Sequence, residues 1–305
     1  MKFLSNRKTG VIYALGSGIC YSLIGYFGIT LIKGGSSVYN MLFWRFLISI
    51  ACTLIMLVPQ YKTLIFLTKD NFKIMLSGIF FYSTSSIIFF ISGVYIGTGL
   101  AMIIFFIYPA FIMIINIFLY NAPFSKTYFI AFLIIIIGLV FLVDIQNAAF
   151  NILGVVVGVI AAILYAWYII VSQQVVINPL LATLFVSIGC AITCFIFALI
   201  DSSLMMPKDF KNWLDVLAIG LICTTLPILL LLIAMKYIDA EKAAILSVLE
   251  PVFALMVGVT LLDEKVTGTQ IIGIMIVLGG SIMILLHNVP KKANVDSNIH
   301  VVPKI

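Results

Sequence analysis

The stretch "SVLEPVFAL", residues 247–255, places a carboxylate and a proline side by side within a long apolar run. Glu250 is followed at once by Pro251. A proline inside a helix cannot donate a hydrogen bond to the carbonyl four residues earlier, which here is that of Ser247. The stretch therefore predicts a loosened helical turn that carries a charge, in surroundings where an unpaired charge is costly.

The composition around this stretch is that of a protein embedded in a lipid bilayer. Of the 305 residues, 64% are apolar and only 9% are charged, whereas a soluble domain is about 25% charged. A bilayer core of about 30 Å needs roughly 20 helical residues. We predict an all-α membrane protein with ten transmembrane helices, at about 10–32, 38–58, 72–93, 99–120, 126–143, 152–172, 179–200, 214–236, 243–262 and 268–287.

The distribution of Lys and Arg predicts the orientation. With ten crossings both chain ends lie on one side, and that side collects twelve cations against four on the other, with Arg45 inside a span. Since cytoplasmic loops carry the excess of Lys and Arg, residues 1–9 and 288–305 are predicted to be cytoplasmic tails at the bacterial inner membrane. The net charge of +6 reflects this asymmetry. It does not indicate nucleic-acid binding, because the cations form no patch.

The second half of the chain repeats the first. A shift of 142 residues aligns glycines, prolines and aromatic residues without a gap, and near the start the shift is 144. The aligned pairs include Gly78 with Gly220, Tyr95 with Tyr237, Pro109 with Pro251, Gly138 with Gly280, Gly10 with Gly154 and Tyr21 with Tyr165. Similar composition alone could produce some of these matches, but constant spacing of Gly and Pro favours a true repeat.

Two repeat units follow, over residues 10–144 and 152–287. Each has five predicted helices, and because five is odd the second unit is inverted relative to the first. Carriers built in this way bind substrate near the membrane midplane between the two units and alternate access by rocking. The repeat therefore predicts a small-molecule site between the halves.

Three segments resemble the drug/metabolite transporter superfamily, specifically the EamA-type carriers with ten helices. They are "GVIYALGSGICYSLIGYF" at 10–27, "FWRFLIS" at 43–49 and "AEKAAILSVLEPVFALMVGVTLLDEKVTGTQIIGIMIVLGG" at 240–280. The first-half equivalent of the third segment fits less well, since Tyr108 stands where Glu250 stands in the second half. The resemblance implies a secondary transporter, in a family whose substrates include amino acids, other metabolites and drugs.

Glu250 is the first candidate binding residue. With the ninth helix starting near residue 243, its carboxylate lies about 10 Å into the membrane at 1.5 Å per residue. A carboxylate at that depth needs a partner, a watery cavity or a proton. Together with Pro251 it indicates the cavity between the halves, where Tyr108 and Pro109 form the corresponding wall. Glu250 could then exchange a proton or hold a cationic amine; alternatively, it only ties helices together.

Arg45 is the other charge inside a span. It lies about 10 Å from the outer end of the second predicted helix. The second and ninth helices run in opposite directions, and side chains lean toward the N-terminus of their own helix. We therefore expect no ion pair between Arg45 and Glu250. The guanidinium either reaches to the surface or a carbonyl, or acts at an outer gate or on an anionic group of the substrate.

Several aromatic side chains are further candidates for the site. Tyr21 and Tyr165 occupy aligned repeat positions well inside their helices, which favours a role in the cavity. Tyr82 opens the hydroxyl-rich run "YSTSS", and Trp167 lies beside Tyr165. For each of them, ordinary packing or anchoring at the membrane interface is the alternative.

Other chemistries lack their usual sequence signals. The five cysteines all fall in predicted spans, the two histidines lie at or beyond the last helix, and no phosphate-binding glycine loop is present. We expect no metal, no cofactor and no catalytic residue. The prediction is a secondary active transporter of a small, amino-acid-like or related polar metabolite, with a proton as one candidate coupling ion. The alternative is a non-transport protein, such as a lipid-linked sugar flippase component or an intramembrane sensor.

Overall fold

The computed structural model describes residues 2–59, 68–142, 151–175, 177–262 and 267–286, and its regular structure there is helical. The helices are α1 (Lys2–Ser22 and Ile24–Lys33), α2 (Val38–Leu57), α3 (Lys69–Ile96), α4a (Thr98–Phe105), α4b (Tyr108–Tyr120), α5 (Lys126–Leu142), α6 (Ile152–Gln174), α7 (Pro179–Ile200), α8 (Phe210–Tyr237), α9a (Ala240–Ser247), α9b (Glu250–Leu262) and α10 (Gly268–Leu286).

The helices are those of a multi-pass membrane protein. In the described ranges, eight are long and apolar enough to cross a bilayer, and α5 is a shorter apolar helix of 17 residues. The ninth predicted span is divided into α9a, of 8 residues, and α9b, of 13 residues. Ten full crossings therefore remain a prediction, although each predicted span coincides with a helix or a divided helix.

Short polar residues at the predicted loops begin several of the helices. Ser37, Thr68, Asn151, Asn178 and Asp209 each precede a helix, and each accepts a hydrogen bond from a backbone N–H of its first turn. Such caps satisfy amide groups that have no partner within the helix. The apolar runs thus become helices whose starts are fixed by the few polar residues between them.

Helices α5 and α10, the last of each repeat, lie side by side and antiparallel. Gly273, early in α10, packs against Leu142 at the end of α5, whereas Gly280 packs against Ala131 earlier in α5. The two helices, which align in sequence, therefore run in opposite directions in space. This is the geometry of an inverted repeat.

The second helices of the two repeats, α2 and α7, have the same relation. Tyr39, near the start of α2, stacks on Phe197, near the end of α7, with ring centroids 5.7 Å apart. Leu57, at the end of α2, packs with Leu184 near the start of α7. Two independent helix pairs therefore show the inversion that the odd number of helices per repeat predicts.

The repeats are further joined by α1 with α8 and by α6 with α3, a pair of contacts related by the repeat. At the first crossing, a Cβ added to Gly10 would lie 2.7 Å from the Cβ of Tyr237; at the second, a Cβ on Gly154 would lie 2.7 Å from the Cβ of Tyr95. These distances are shorter than carbon atoms tolerate. The aligned glycines thus occupy equivalent crossings where no other residue fits.

Helices α3 and α8 each contain one π-helical turn, at Gly78–Tyr82 and Leu221–Thr225 respectively. In α8 the hydroxyl of Thr225 donates to the carbonyl of Gly220, at 2.9 Å. Such turns are rare and occur often at functional sites, since they displace side chains from the regular helical spacing. Under the 142-residue shift the two turns lie one residue apart, and this near-coincidence marks them as candidates for the site.

Candidate substrate site

Helices α4 and α9 are broken at aligned residues. The bounds of α4a and α4b become those of α9a and α9b when 142 is added to each residue number. At both breaks the backbone tightens through a bond to the third residue back, from Ile107 N to Ile104 O at 3.1 Å and from Leu249 N to Leu246 O at 3.2 Å. The two repeats therefore share an interrupted helix, close to the middle of the molecule.

The prolines lie just after these breaks. Pro109 and Pro251 are the second residues of α4b and α9b, where a missing N–H has no helical partner to lose. The sequence predicted the loosened turn at Pro251; the structure places it at the two residues before Glu250. Gly18 of α1 packs there, and a Cβ added to it would lie 3.6 Å from the Ser247 carbonyl oxygen.

Arg45 is buried between the two repeats. Only 3% of its surface is exposed, so the alternative in which it reaches the membrane surface is wrong. Its Nε donates to the Thr224 hydroxyl at 2.6 Å and its Nη2 to the Tyr82 hydroxyl at 3.1 Å. Tyr82 and Thr224 are aligned by the 142-residue shift and lie in the two π-helical turns. One guanidinium thus bonds to equivalent positions of both repeats, close to their pseudo-two-fold axis.

Tyrosine side chains surround the Arg45–Tyr82 bond. Tyr82 stacks on Tyr168 with centroids 4.7 Å apart, and its hydroxyl lies 3.1 Å from that of Tyr21. Tyr165 contacts Tyr82 at 5.7 Å and Tyr108, edge to face, at 4.8 Å. We call these five residues the tyrosine cluster. It brings together all four tyrosines that the sequence selected, and none of the five is more than 8% exposed.

Two residues of this site were not among the candidates selected from the sequence. Tyr168 lies three positions after Tyr165 and faces the same cluster, a spacing that puts both side chains on one face of α6. Thr224 aligns with Tyr82, so the repeat itself could have identified it. The remaining selected aromatic residue, Trp167, stacks instead on Phe81 at 6.3 Å. Among the described residues, no ring contact joins it to the tyrosine cluster.

Glu250 begins α9b beside the tyrosine cluster. It is close enough to Tyr108, Tyr165 and Arg45 to interact with them electrostatically. Within the described part of the chain no ion pair joins it to Arg45. Since α9a begins at Ala240, Glu250 is about 15 Å along the helical path at 1.5 Å per residue, deeper than the predicted 10 Å. The site therefore contains a carboxyl group and a guanidinium that are not paired with each other in the described structure.

The tyrosine cluster is closed to solvent in this structure. In the described ranges, a cleft of about 30 Å³ lies near the start of α2 and is lined by residues that include Asn40, Trp44 and Lys208. A void of about 10 Å³ lies between Met102 and Pro251. Each holds at most one or two water molecules. The site must open before a solute can enter it.

A second polar group lies between α4b and α9a. The side-chain amide of Asn116 donates to the Glu241 carboxylate at 2.8 Å. Lys242 is only 2% exposed. Lys242 is one of the twelve cations that the sequence placed outside the spans, and that placement is wrong because the residue is buried inside α9a. Without it the asymmetry is eleven against four, which predicts the same orientation.

Comparison with known proteins agrees with this architecture. The profile of the EamA-like transporter family matches residues 8–144 and 152–286. A protein of Archaeoglobus fulgidus (strain ATCC 49558 / DSM 4304 / JCM 9628 / NBRC 100126 / VC-16), named an uncharacterized transporter, is 29% identical over 130 residues, which are 42% of this chain and 46% of that relative. The match thus spans less than half of the relative's length.

The fold is also present among solved structures. One, described as the crystal structure of a protein, superposes with a TM-score of 0.78 at 15% identity, over 90% of this chain and 96% of that one. At that identity the likeness concerns the fold alone. The two matched segments of the family profile cover most of the chain, one in each repeat. The resemblance to the drug/metabolite transporter superfamily is confirmed, and the chain belongs to the EamA-like transporter family of membrane transporters.

Proposed function

We propose that this chain is a secondary active transporter that moves a small, amino-acid-like or related polar solute across the bacterial inner membrane by alternating access. The observation that carries the proposal is the buried guanidinium of Arg45, which bonds to Tyr82 in one repeat and Thr224 in the other. A residue shared by two inverted repeats can be reached from each side in turn when the repeats rock. The solute passes through unchanged, without a cofactor.

A guanidinium and an ionisable carboxyl group in one site favour a zwitterionic solute. Guanidinium binds carboxylate through charge-assisted hydrogen bonds, and a carboxylate such as that of Glu250 suits an ammonium group. In the proposed complex the solute carboxylate replaces the Tyr82 hydroxyl on Arg45, while the amine lies toward Glu250 and Tyr108. Tyr21 and Tyr165 then form walls around the carbon skeleton. A proton carried by Glu250 when the site is empty would provide the coupling ion.

The proposed orientation has the tails 1–9 and 288–305 in the cytoplasm and the two units, 10–144 and 152–287, inverted across the membrane. The excess of Lys and Arg on one side supports it. Reporter proteins fused after Ile305 and within the 62–70 segment should both give a cytoplasmic signal in growing cells. A periplasmic signal from either fusion would overturn the orientation.

Counter-transport in proteoliposomes tests the transport proposal. Liposomes containing the purified protein are loaded with one unlabelled solute and exposed to a trace of the same solute carrying a radiolabel. The panel contains zwitterionic amino acids, their decarboxylated amines and their deaminated acids. Accumulation of label for at least one zwitterion, above empty liposomes, is the expected result. Accumulation only of amines or only of acids contradicts the zwitterionic site, and none with folded protein contradicts transport of this solute class.

A further inference from the structure

The hydrogen bond between Asn116 and Glu241 joins the two repeats on one side of the tyrosine cluster. Asn116 lies in α4b and Glu241 in α9a. Ile238, just before α9a, packs on Gly10 near the start of α1. The bond therefore lies toward the end of the molecule where α1 begins, which the distribution of cations predicts to be cytoplasmic.

On the same side, a second hydrogen bond joins α4b to α9a, nearer the centre of the molecule. The hydroxyl of Tyr108, the first residue of α4b, donates to the carbonyl of Ala244 in α9a at 3.1 Å. Ala244 is 2% exposed and Val248, at the end of this segment, is fully buried. Helices α4b and α9a are thus packed together and hydrogen-bonded at two levels.

The repeat identifies the residues that would make the equivalent bonds on the opposite side. The 142-residue shift aligns Asn116 with Gly258 and Glu241 with Gly99. Glycine has no side chain, so no side-chain hydrogen bond can form between these two positions. The side-chain hydrogen bond is therefore present on one side, and the sequence excludes its equivalent between Gly99 and Gly258 on the other.

Packing differs between the two sides in the same direction. The same shift aligns Ala244 with Met102 and Val248 with Phe106. Met102 and Phe106 border the void of about 10 Å³ next to Pro251. On the side of α4b and α9a, Ala244 is 2% exposed where its equivalent Met102 is partly exposed, while Val248 and Phe106 are both buried. The side without the hydrogen bond is thus also the one that contains the void.

We propose that Asn116 and Glu241 form a latch that holds the predicted cytoplasmic side of the transport path closed, while glycines occupy the equivalent positions on the opposite side. The proposal rests on the alternating access proposed above and adds its resting direction: without solute, the protein favours the state closed toward the cytoplasm. Asn116 and Glu241 are gating residues and do not contact the solute. Opening toward the cytoplasm requires their hydrogen bond to break and α9a to separate from α4b.

Hydrogen–deuterium exchange of the full chain in detergent, followed by mass spectrometry, tests the latch without a solute. The compared segments are 108–120 and 240–247 on the latched side, and 98–105 and 250–257 on the other. In Asn116→Ala we expect exchange to become about tenfold faster in the first two segments, because a charge-assisted bond is lost. The other two segments should exchange as in the unmodified protein. In Glu241→Gln, which keeps an acceptor oxygen but removes the charge, the increase should be smaller.

The control is Asn178→Ala, which removes the cap of α7 and does not touch the latch; exchange in 240–247 should remain unchanged. Equal exchange in Asn116→Ala and the unmodified protein would overturn the latch, and so would an equal increase in all four segments. If Asn116→Ala does not fold, Glu241→Gln decides by the same comparison. Because no solute is present, failure here is distinct from an absence of counter-transport.

Discussion

Helices α4 and α9 break at aligned residues, where Ile107 and Leu249 make equivalent backbone hydrogen bonds, yet a different side chain follows each break. In α4 it is Tyr108, whose hydroxyl donates to the Ala244 carbonyl. In α9 it is Glu250, for which no such bond to the equivalent Met102 is found among the described residues. The repeat thus sets the path of the backbone, and the chemistry of the site comes from residues that depart from the repeat.

The two π-helical turns give a second instance of the same contrast. Both turns approach Arg45 from aligned positions, but one presents the phenol of Tyr82 and the other the hydroxyl of Thr224. A single cation therefore serves both repeats. The two repeats are thus alike in backbone and differ in the side chains that they bring to the site.

The largest effect is expected from Arg45→Lys. An ammonium keeps the charge but has neither the planar fork nor the reach to bond to Thr224 and Tyr82 together. We expect counter-transport to fall on the order of a hundredfold, because both the solute carboxylate and the link between the repeats lose their donor. The rate is measured in proteoliposomes and normalised to folded protein.

Two neighbouring threonines separate the role of Arg45 from that of the π-helical turn. Thr224→Val removes the partner of the Arg45 Nε, whereas Thr225→Val removes a bond to Ser49. Both hydroxyls also bond back within α8. Transport should fall roughly tenfold in the first variant and little in the second. Equal losses would mean that the turn matters and its contact with Arg45 does not.

The next largest effect is expected from Glu250→Gln, which replaces the ionisable side chain after the second break with one that, like Tyr108 after the first, carries no charge. Glutamine keeps the size and the hydrogen-bonding atoms but cannot hold an ammonium group by charge or carry a proton. We expect a folded protein whose transport, or its dependence on pH, falls roughly tenfold or more. Flux is measured across a pH range for Glu250→Gln and Glu250→Ala, normalised to folded protein.

The control for Glu250 is Asp239→Asn, since Asp239 is an acid that directly precedes α9a and makes no side-chain cap bond there. It should transport normally. Poor folding of Glu250→Ala with normal flux in Glu250→Gln would assign Glu250 a structural role only. Full, pH-dependent transport in the Gln variant would remove it from the mechanism.

The backbone was more predictable than the contacts. Aligned glycines and prolines identified the inverted repeat, because Gly10 and Gly154 lie where helices cross too closely for any other residue. Polar residues in an apolar helix carry less information, since one side chain does not specify its neighbour across a helix interface. Arg45 was thus recognised as important without its partners, and Lys242 was placed in a loop because three residues of α9a were assigned to the connection.

A smaller effect is expected from Tyr108→Phe, which removes the hydroxyl at the first break and leaves the ring packed on Tyr165. The lost bond to the Ala244 carbonyl contributes about 1 kcal/mol. The midpoint of thermal unfolding should decrease by a few degrees, and flux should change only severalfold. A loss as large as that in Glu250→Gln would show that the two breaks contribute equally, which would contradict the asymmetry.

The smallest effect is expected from the prolines themselves. Because Pro109 and Pro251 lie in the first turn of α4b and α9b, replacing either by alanine restores an N–H that the helix does not need there. The free energy of unfolding should change by no more than about 1 kcal/mol. Transport should slow, at most severalfold, if proline keeps the break from closing into a continuous helix. Scanning calorimetry and counter-transport of Pro109→Ala, Pro251→Ala and the double variant measure both quantities. Unchanged flux in all three would mean that the tightened turns at Ile107 and Leu249 maintain the breaks without the prolines.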